Sequence, residues 1–311
     1  MSLATRLHSP RKPGSATAHR RRVGRSGPLP YVMVAPLVVF IGALAIYPTV
    51  LTVIEAFFHN DPLTPPNHFV GLGNFRGIFS NPQVVSAFEN TGWYVLFGVA
   101  LTVAFGTSIA ILLQKKFRGR GIVLAIMILP WALPGVVEGV IWSWIYDPTF
   151  GLLNSVLKSL HFLSQYQILV GTRQIESIFL ISLVQVWQIT PLAALLILAS
   201  LQSIPAELYE AARVDGAGWW QVIRKVTLPL IRPGLAIATV EALVLSINIF
   251  DQVYVLNAGA TTASSIMNTT YFITFQDLNF GQGYALSLLT TVVTVALSVG
   301  ALKVLYRRVD F

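Results

Sequence analysis

Long apolar stretches alternate with short polar ones along the chain. Six runs stay apolar over about twenty residues or more, at about 30–54, 88–113, 121–145, 177–201, 235–256 and 284–305. A helix needs roughly 20 such residues to cross a hydrocarbon core of about 30 Å. The pattern predicts an all-α membrane protein with six transmembrane helices. A β-barrel would show short segments of alternating polarity instead. Pro36, Pro48, Pro130, Pro134 and Pro191 fall inside the runs. Proline there removes a helical hydrogen bond and kinks the helix; the alternative is ordinary, tolerated membrane-helix proline.

The polar segments differ in kind. Those at 55–87, 146–176 and 257–283 carry turn signals such as Asp61-Pro62 and Thr64-Pro65-Pro66. On the other side only 202–234 is long. It reads as two helices around a glycine turn. Pro205 suits a first helical turn, with Ser203 as cap. Glu207 and Glu210 lie near that helix's N-terminus, where negative charge is favoured. Ala211 and Ala212 are small and admit a close-lying surface. Asp215-Gly216 ends the helix, since glycine tolerates the left-handed turn. A second, amphipathic helix follows through Trp219, Trp220, Val222, Ile223 and Val226, and Pro229 and Pro233 break it.

Charge fixes an orientation. Of 311 residues 54% are hydrophobic and only 11% charged, with a net charge of +8. With the N-terminus and the 202–234 segment on one side, that side holds every one of the 21 basic residues except Arg76, Lys158 and Arg173. The positive-inside rule then places both termini in the cytoplasm of a multi-pass protein of the bacterial plasma (inner) membrane. The basic balance reflects orientation and contact with anionic membrane lipid, not nucleic acid. Residues 1–28, rich in Arg, Ser, Pro and Gly, read as a disordered basic cytoplasmic tail, and 29–311 as one six-helix membrane domain. The long polar lead and long first run read as a retained span, not a cleaved signal. The chain has no cysteine, which excludes disulfides, thiol catalysis and cysteine-held metal. The histidines show no paired metal spacing, so no metal site is expected.

The segment Glu210-Ala211-Ala212, three residues, Gly216, nine residues, Val226, one residue, Leu228-Pro229 resembles the coupling-helix signature of ABC importer permeases. Valine stands at 226 where that family usually has isoleucine. A generic amphipathic hairpin on the membrane surface is the alternative. Three further segments extend the resemblance from about residue 29 onward: Phe250-Asp251-Gln252-Val253-Tyr254-Val255-Leu256; Gly71-Leu72-Gly73-Asn74-Phe75 with Asn90-Thr91; and Gly281-Gln282-Gly283-Tyr284-Ala285. Together they resemble the maltose-type carbohydrate uptake family, and within it the trehalose-importer permeases of actinobacteria. Asn257-Ala258-Gly259-Ala260 replaces the family's frequent Thr-x-Gly-Gly-Pro.

The resemblance implies a type I importer permease fold. It also implies a second homologous permease, two cytoplasmic ATPase subunits that bind ATP and Mg, and an extracytoplasmic binding protein. The coupling loop would dock on an ATPase subunit. This chain holds no Gly-x-x-x-x-Gly-Lys-Ser/Thr phosphate loop, so no cofactor of its own is expected and no enzymatic activity.

Polar groups inside spans are costly and face a cavity or a partner. Glu241, Asn248 and Gln252 share one face of a continuous fifth span, with Asp251 to one side. Glu138 and Trp142 share a face with Trp131 and Tyr146 on the third, and Gln185 and Gln188 cluster with Trp187 on the fourth. Such residues suit sugar hydroxyls and the apolar face of a sugar ring; helix–helix contact is the alternative for each. No Lys or Arg lies in mid-span, which favours a neutral substrate. Three readings follow: an ABC permease for a neutral disaccharide; an ABC permease for a polyol, glycerol phosphate or polyamine; and a proton-driven secondary transporter using Glu138, Glu241 and Asp251.

Overall fold

Several spans depart from simple rods. The computed structural model describes residues 29–115, 117–257 and 259–306, so the tail assigned to residues 1–28 lies outside the described residues. Among the described residues, five helices are long and apolar enough to cross a membrane: Tyr31–Glu55, Pro82–Gln114, Gln174–Gln202, Arg232–Leu256 and Phe280–Leu305. A bent pair, Arg120–Ala132 and Gly135–Ile145, taken as one broken span, makes six and stands third in the order of the chain.

The chain divides into two units, Met1–Thr49 and Val50–Phe311. In the first, Leu29–Ile41 is α-helical with Pro36 inside it, and Gly42–Ile46 forms a π-helical turn. The second unit holds the remaining spans. Its fourth span, Gln174–Gln202, is the most enclosed and runs along the second and fifth. Ala110, Leu113, Ile197, Leu201, Ile231 and Ala238 form one apolar cluster toward the 205–231 hairpin. Tyr94, Ile178, Ile181, Ile249 and Val253 form another toward the opposite end. Between membrane helices such clusters act through close packing, because lipid tails are as apolar as the side chains.

The polar segments opposite the hairpin are structured. Phe58–His59 and His68–Phe69 pair antiparallel. Asn74 donates from Nδ2 to the Ala56 and Phe58 carbonyls, fixing helix Gly73–Ser80 to that ribbon. Asn90 donates to the Ser264 and Thr262 carbonyls and accepts from Gln174, while Thr91 accepts from the Ile266 N–H. The motifs Gly-Leu-Gly-Asn-Phe and Asn-Thr are therefore staples that hold the chain at the ends of the spans. After the third span, the Asp147 carboxylate accepts from the Thr149 hydroxyl and N–H and from the Phe150 N–H. These bonds, the Thr149 hydroxyl first, hold its carboxyl below the usual carboxylate range.

Two spans are interrupted, the third where its prolines predicted a kink and the fifth where a continuous helix was expected. The third turns by 98° between Ala132 and Gly135. Pro134 forces Leu133 into extended backbone, with ψ 138°, because the proline ring clashes with a helical predecessor. The fifth stops at Ile247 and restarts at Asp251. No proline causes that break. Asn248 turns its side chain back to the Val244 carbonyl, a local bond that competes with helix continuation. Pro191, by contrast, lies inside an uninterrupted helix.

Candidate functional site

A broken membrane helix leaves backbone carbonyls without helical partners, and in hydrocarbon each unsatisfied group costs several kcal/mol. Here the fourth span answers both breaks from one face. Gln188 donates from Nε2 to the Leu133 carbonyl at 3.1 Å, at the bend of the third span. Gln185, three residues earlier, donates from Nε2 to the Leu245 carbonyl at 2.9 Å, in the last turn before the fifth-span break. The restarted half of the fifth span joins the same network: Gln252 donates from Nε2 to Glu138 Oε2 at 2.9 Å and to Gln188 Oε1 at 3.0 Å.

The two restarted halves, Gly135–Ile145 and Asp251–Leu256, lie against each other. Gly135 makes the approach possible: a Cβ built there would overlap the Asp251 carboxylate. Beside this junction a cavity of about 260 Å³ is lined by Trp131, Gly135, Gln185, Gln188, Asn248 and Asp251, with Gln252 and neighbouring apolar side chains. Its polar lining includes four amides and a carboxylate next to an indole. The cavity can take hydroxyl groups along one side and an apolar ring face along another.

The second feature is the hairpin. Ala206–Val214 is helical, with Glu207 in its first turn and Arg213 in its last, both favourable to the helix dipole. It ends in a Schellman arrangement: the Ala217 N–H reaches the Ala212 carbonyl and the Gly216 N–H reaches Arg213, with Gly216 left-handed at φ +76°. Nothing lies within 4 Å of a Cβ built on Gly216, so backbone conformation alone demands glycine. Glu207, Glu210, Ala211, Asp215 and Gly216 are exposed, and Ala212 is half-buried. Gln114, at the end of the second span, donates to the Tyr209 hydroxyl at 3.3 Å, and Tyr209 and Leu228 lie against the apolar cluster that contains Ile204 and Ile231. The hairpin is thus anchored at its base and free on its tip. Pro229 stands in the short turn Leu228–Leu230 that leads into the fifth span.

Residues 102–311 match the family model described as the binding-protein-dependent transport system inner membrane component. The chain belongs to this family. This inner membrane component is 33% identical to the trehalose/maltose transport system permease protein MalF of Thermococcus litoralis, over 90% of this chain and 94% of the relative. It is 30% identical to the trehalose transport system permease protein SugA of Mycobacterium tuberculosis, over 89% of this chain and 86% of the relative. Its fold matches a chain of a crystal structure of a bacterial alginate ABC transporter in complex with its alginate-bound periplasmic protein, with a TM-score of 0.75 at 22% identity, covering 88% of this chain and 92% of that one. The fold is therefore that of a type I ABC importer permease, a multi-pass membrane protein.

The spans of this inner membrane component redistribute the expected polar residues. Gln185, Gln188, Asn248, Asp251 and Gln252 come together at the cavity, and Glu138 stands behind it, bonded to Gln252. Trp142 does not line it. Its ring meets Tyr146 at 5.4 Å and Trp187 at 5.7 Å, so it belongs to helix packing. Glu241 does not line it either; both its carboxylate oxygens are enclosed without a partner among the described residues. The shared face of Glu241, Asn248 and Gln252 assumed a continuous helix, and the break at Asn248 removes that assumption. Ser203 does not cap the hairpin helix: its hydroxyl bonds back to the Ser200 carbonyl and Pro205 stands at the cap. Gly135 and the Leu133 carbonyl went unforeseen. Pro134 was their available signal, since a proline bend frees the carbonyl before it.

Proposed function

We propose that this chain is one of two membrane-spanning permease subunits of an ATP-driven ABC importer for a neutral oligosaccharide, a disaccharide of the trehalose or maltose kind. An external binding protein delivers the sugar to the end of the spans opposite the hairpin. A second permease completes the pathway. Two cytoplasmic ATPase subunits bind ATP and Mg, and their closure acts on the exposed hairpin through Glu207, Glu210, Ala211, Ala212, Asp215 and Gly216, with Leu228 and Pro229 at its base. Both termini lie on the hairpin's cytoplasmic side. ATP binding favours one of two pathway conformations, so alternating access follows from differential nucleotide affinity.

The observation that carries this reading is the pairing, in one chain, of a polar cavity at two span breaks with an anchored hairpin whose tip is exposed. Relatives named for trehalose and maltose transport at 30–33% identity support the sugar class. Ligand sites usually measure about 300 Å³ or more, so a cavity of about 260 Å³ suits one wall of a shared site, the partner permease forming the other.

The test is purification of the tagged chain in mild detergent, followed by ATPase activity and uptake of labelled trehalose in proteoliposomes. Co-purification of a second permease and an ATPase is expected. Glu210→Ala and Gly216→Val should retain the assembled chain in the membrane and lose transport. A chain that elutes alone and moves solute under a proton gradient would overturn the reading in favour of a secondary transporter.

A further inference from the structure

The orientation of the Gln252 amide is dictated by backbone geometry several bonds away. The two ends of a glutamine amide are distinguished by their partners. The Leu133 carbonyl can only accept. Gln188 must therefore turn Nε2 toward it, at 3.1 Å. That leaves Gln188 Oε1 facing Gln252, and an oxygen there accepts only from the Gln252 Nε2, at 3.0 Å. The other N–H of the same Nε2 goes to Glu138 Oε2, at 2.9 Å. Both donors of Gln252 are then engaged inside the protein. Its Oε1 has no partner among the described residues, is not among the sealed polar atoms, and belongs to a cavity-lining residue that keeps 5% of its surface open. Flipping the amide would set oxygen against both Glu138 and Gln188. The adjacent Asp251 carboxylate, held over Gly135, likewise makes no bond to a described residue and lines the cavity.

We infer that the two side chains at the start of the restarted fifth-span helix, Asp251 and Gln252, present the cavity with acceptors only, and that Glu138 and Gln188 are positioning residues that lock the polarity of Gln252. The inference rests on the sugar-importer reading and adds a chemical demand to it. The substrate must donate a hydroxyl hydrogen at this wall. Groups that only accept, such as an ether oxygen, a carbonyl, a carboxylate or a carbon-bound fluorine, are refused there. Anions are refused twice, by the fixed Gln252 oxygen and by Asp251.

The experiment measures equilibrium binding of labelled trehalose to the purified complex with its partner subunits, in the absence of binding protein, whose own specificity would mask the effect. Competitors are trehaloses with a single hydroxyl replaced by fluorine, which keeps size and polarity but cannot donate. At least one position is expected to lose about tenfold in affinity, the scale of a single neutral hydrogen bond. In the double variant Glu138→Met/Gln188→Met both acceptors are gone, the Gln252 amide can turn to offer an N–H, and that loss should shrink toward unity. Glu138→Gln retains an acceptor for Gln252 and should keep the loss. Gln252→Met removes the acceptor itself and gives an independent second test should the double variant fail to assemble. Trehalose binding with no fluorine-sensitive position, or the same discrimination in both the double variant and Gln252→Met, overturns the inference while leaving the sugar reading intact. Absence of trehalose binding together with binding of spermidine overturns both, and makes the acceptor wall a cation site.

Discussion

Gly216 and the glutamines of the fourth span show how single residues act here through backbone geometry. The left-handed φ of Gly216 costs an ordinary residue about 1–2 kcal/mol, with no steric term, because the surroundings are open. Gly216→Ala should therefore loosen the hairpin turn and lower coupled ATPase activity. Gly216→Asn should do less, since asparagine visits this conformation more readily. Gln188→Leu and Gln185→Leu differ in kind: each strands a carbonyl at a helix break. Interhelical hydrogen bonds in membranes contribute about 0.6 kcal/mol on average and up to about 1.7. Each variant should lower the thermal midpoint of the purified complex, and Gln188→Leu should also disturb Gln252.

At the scale of elements, the bend of the third span decides where the cavity forms. A straight helix from Val123 to Ser143 would span about 30 Å, at about 1.5 Å per residue. Two halves meeting at 98° bring those positions to about 20 Å on the same rise per residue. Spin labels on cysteines introduced at 123 and 143 can measure this directly, because the chain has no cysteine of its own. The shorter distance is expected in the unmodified background. Replacing Pro130 and Pro134 with alanine should shift the population toward the longer one and reduce transport. A long distance in the background protein would remove the bend and the cavity argument with it. The proline bend was legible in the sequence as a kink, though not its size. The fifth-span break was not legible, because Asn248 ends the helix by a side-chain bond to its own preceding turn and leaves the apolar pattern undisturbed.

For the whole molecule, the distribution of basic residues predicts which side faces the cytoplasm. A single cysteine at Val214, which is 87% exposed at the hairpin tip, should label only from the cytoplasmic side. One at Phe150, exposed in the turn after the third span, should label only from outside. Labelling of both from one side would contradict the six-crossing arrangement. The number of crossings, their approximate limits, the hairpin with its glycine turn and the family were determined by the sequence alone. Those features rest on hydropathy, charge and local backbone preference, which act over a few neighbouring residues. The tertiary structure decided which polar residues meet. Gln185, Gln188 and Gln252 are drawn together because two spans break at the same depth and the freed carbonyls need donors. Trp142 and Glu241, polar or aromatic in the same way, are left outside the cavity. Periodicity along one helix cannot foresee that outcome, because the partner groups lie on other spans and the breaks that expose them change the periodicity itself.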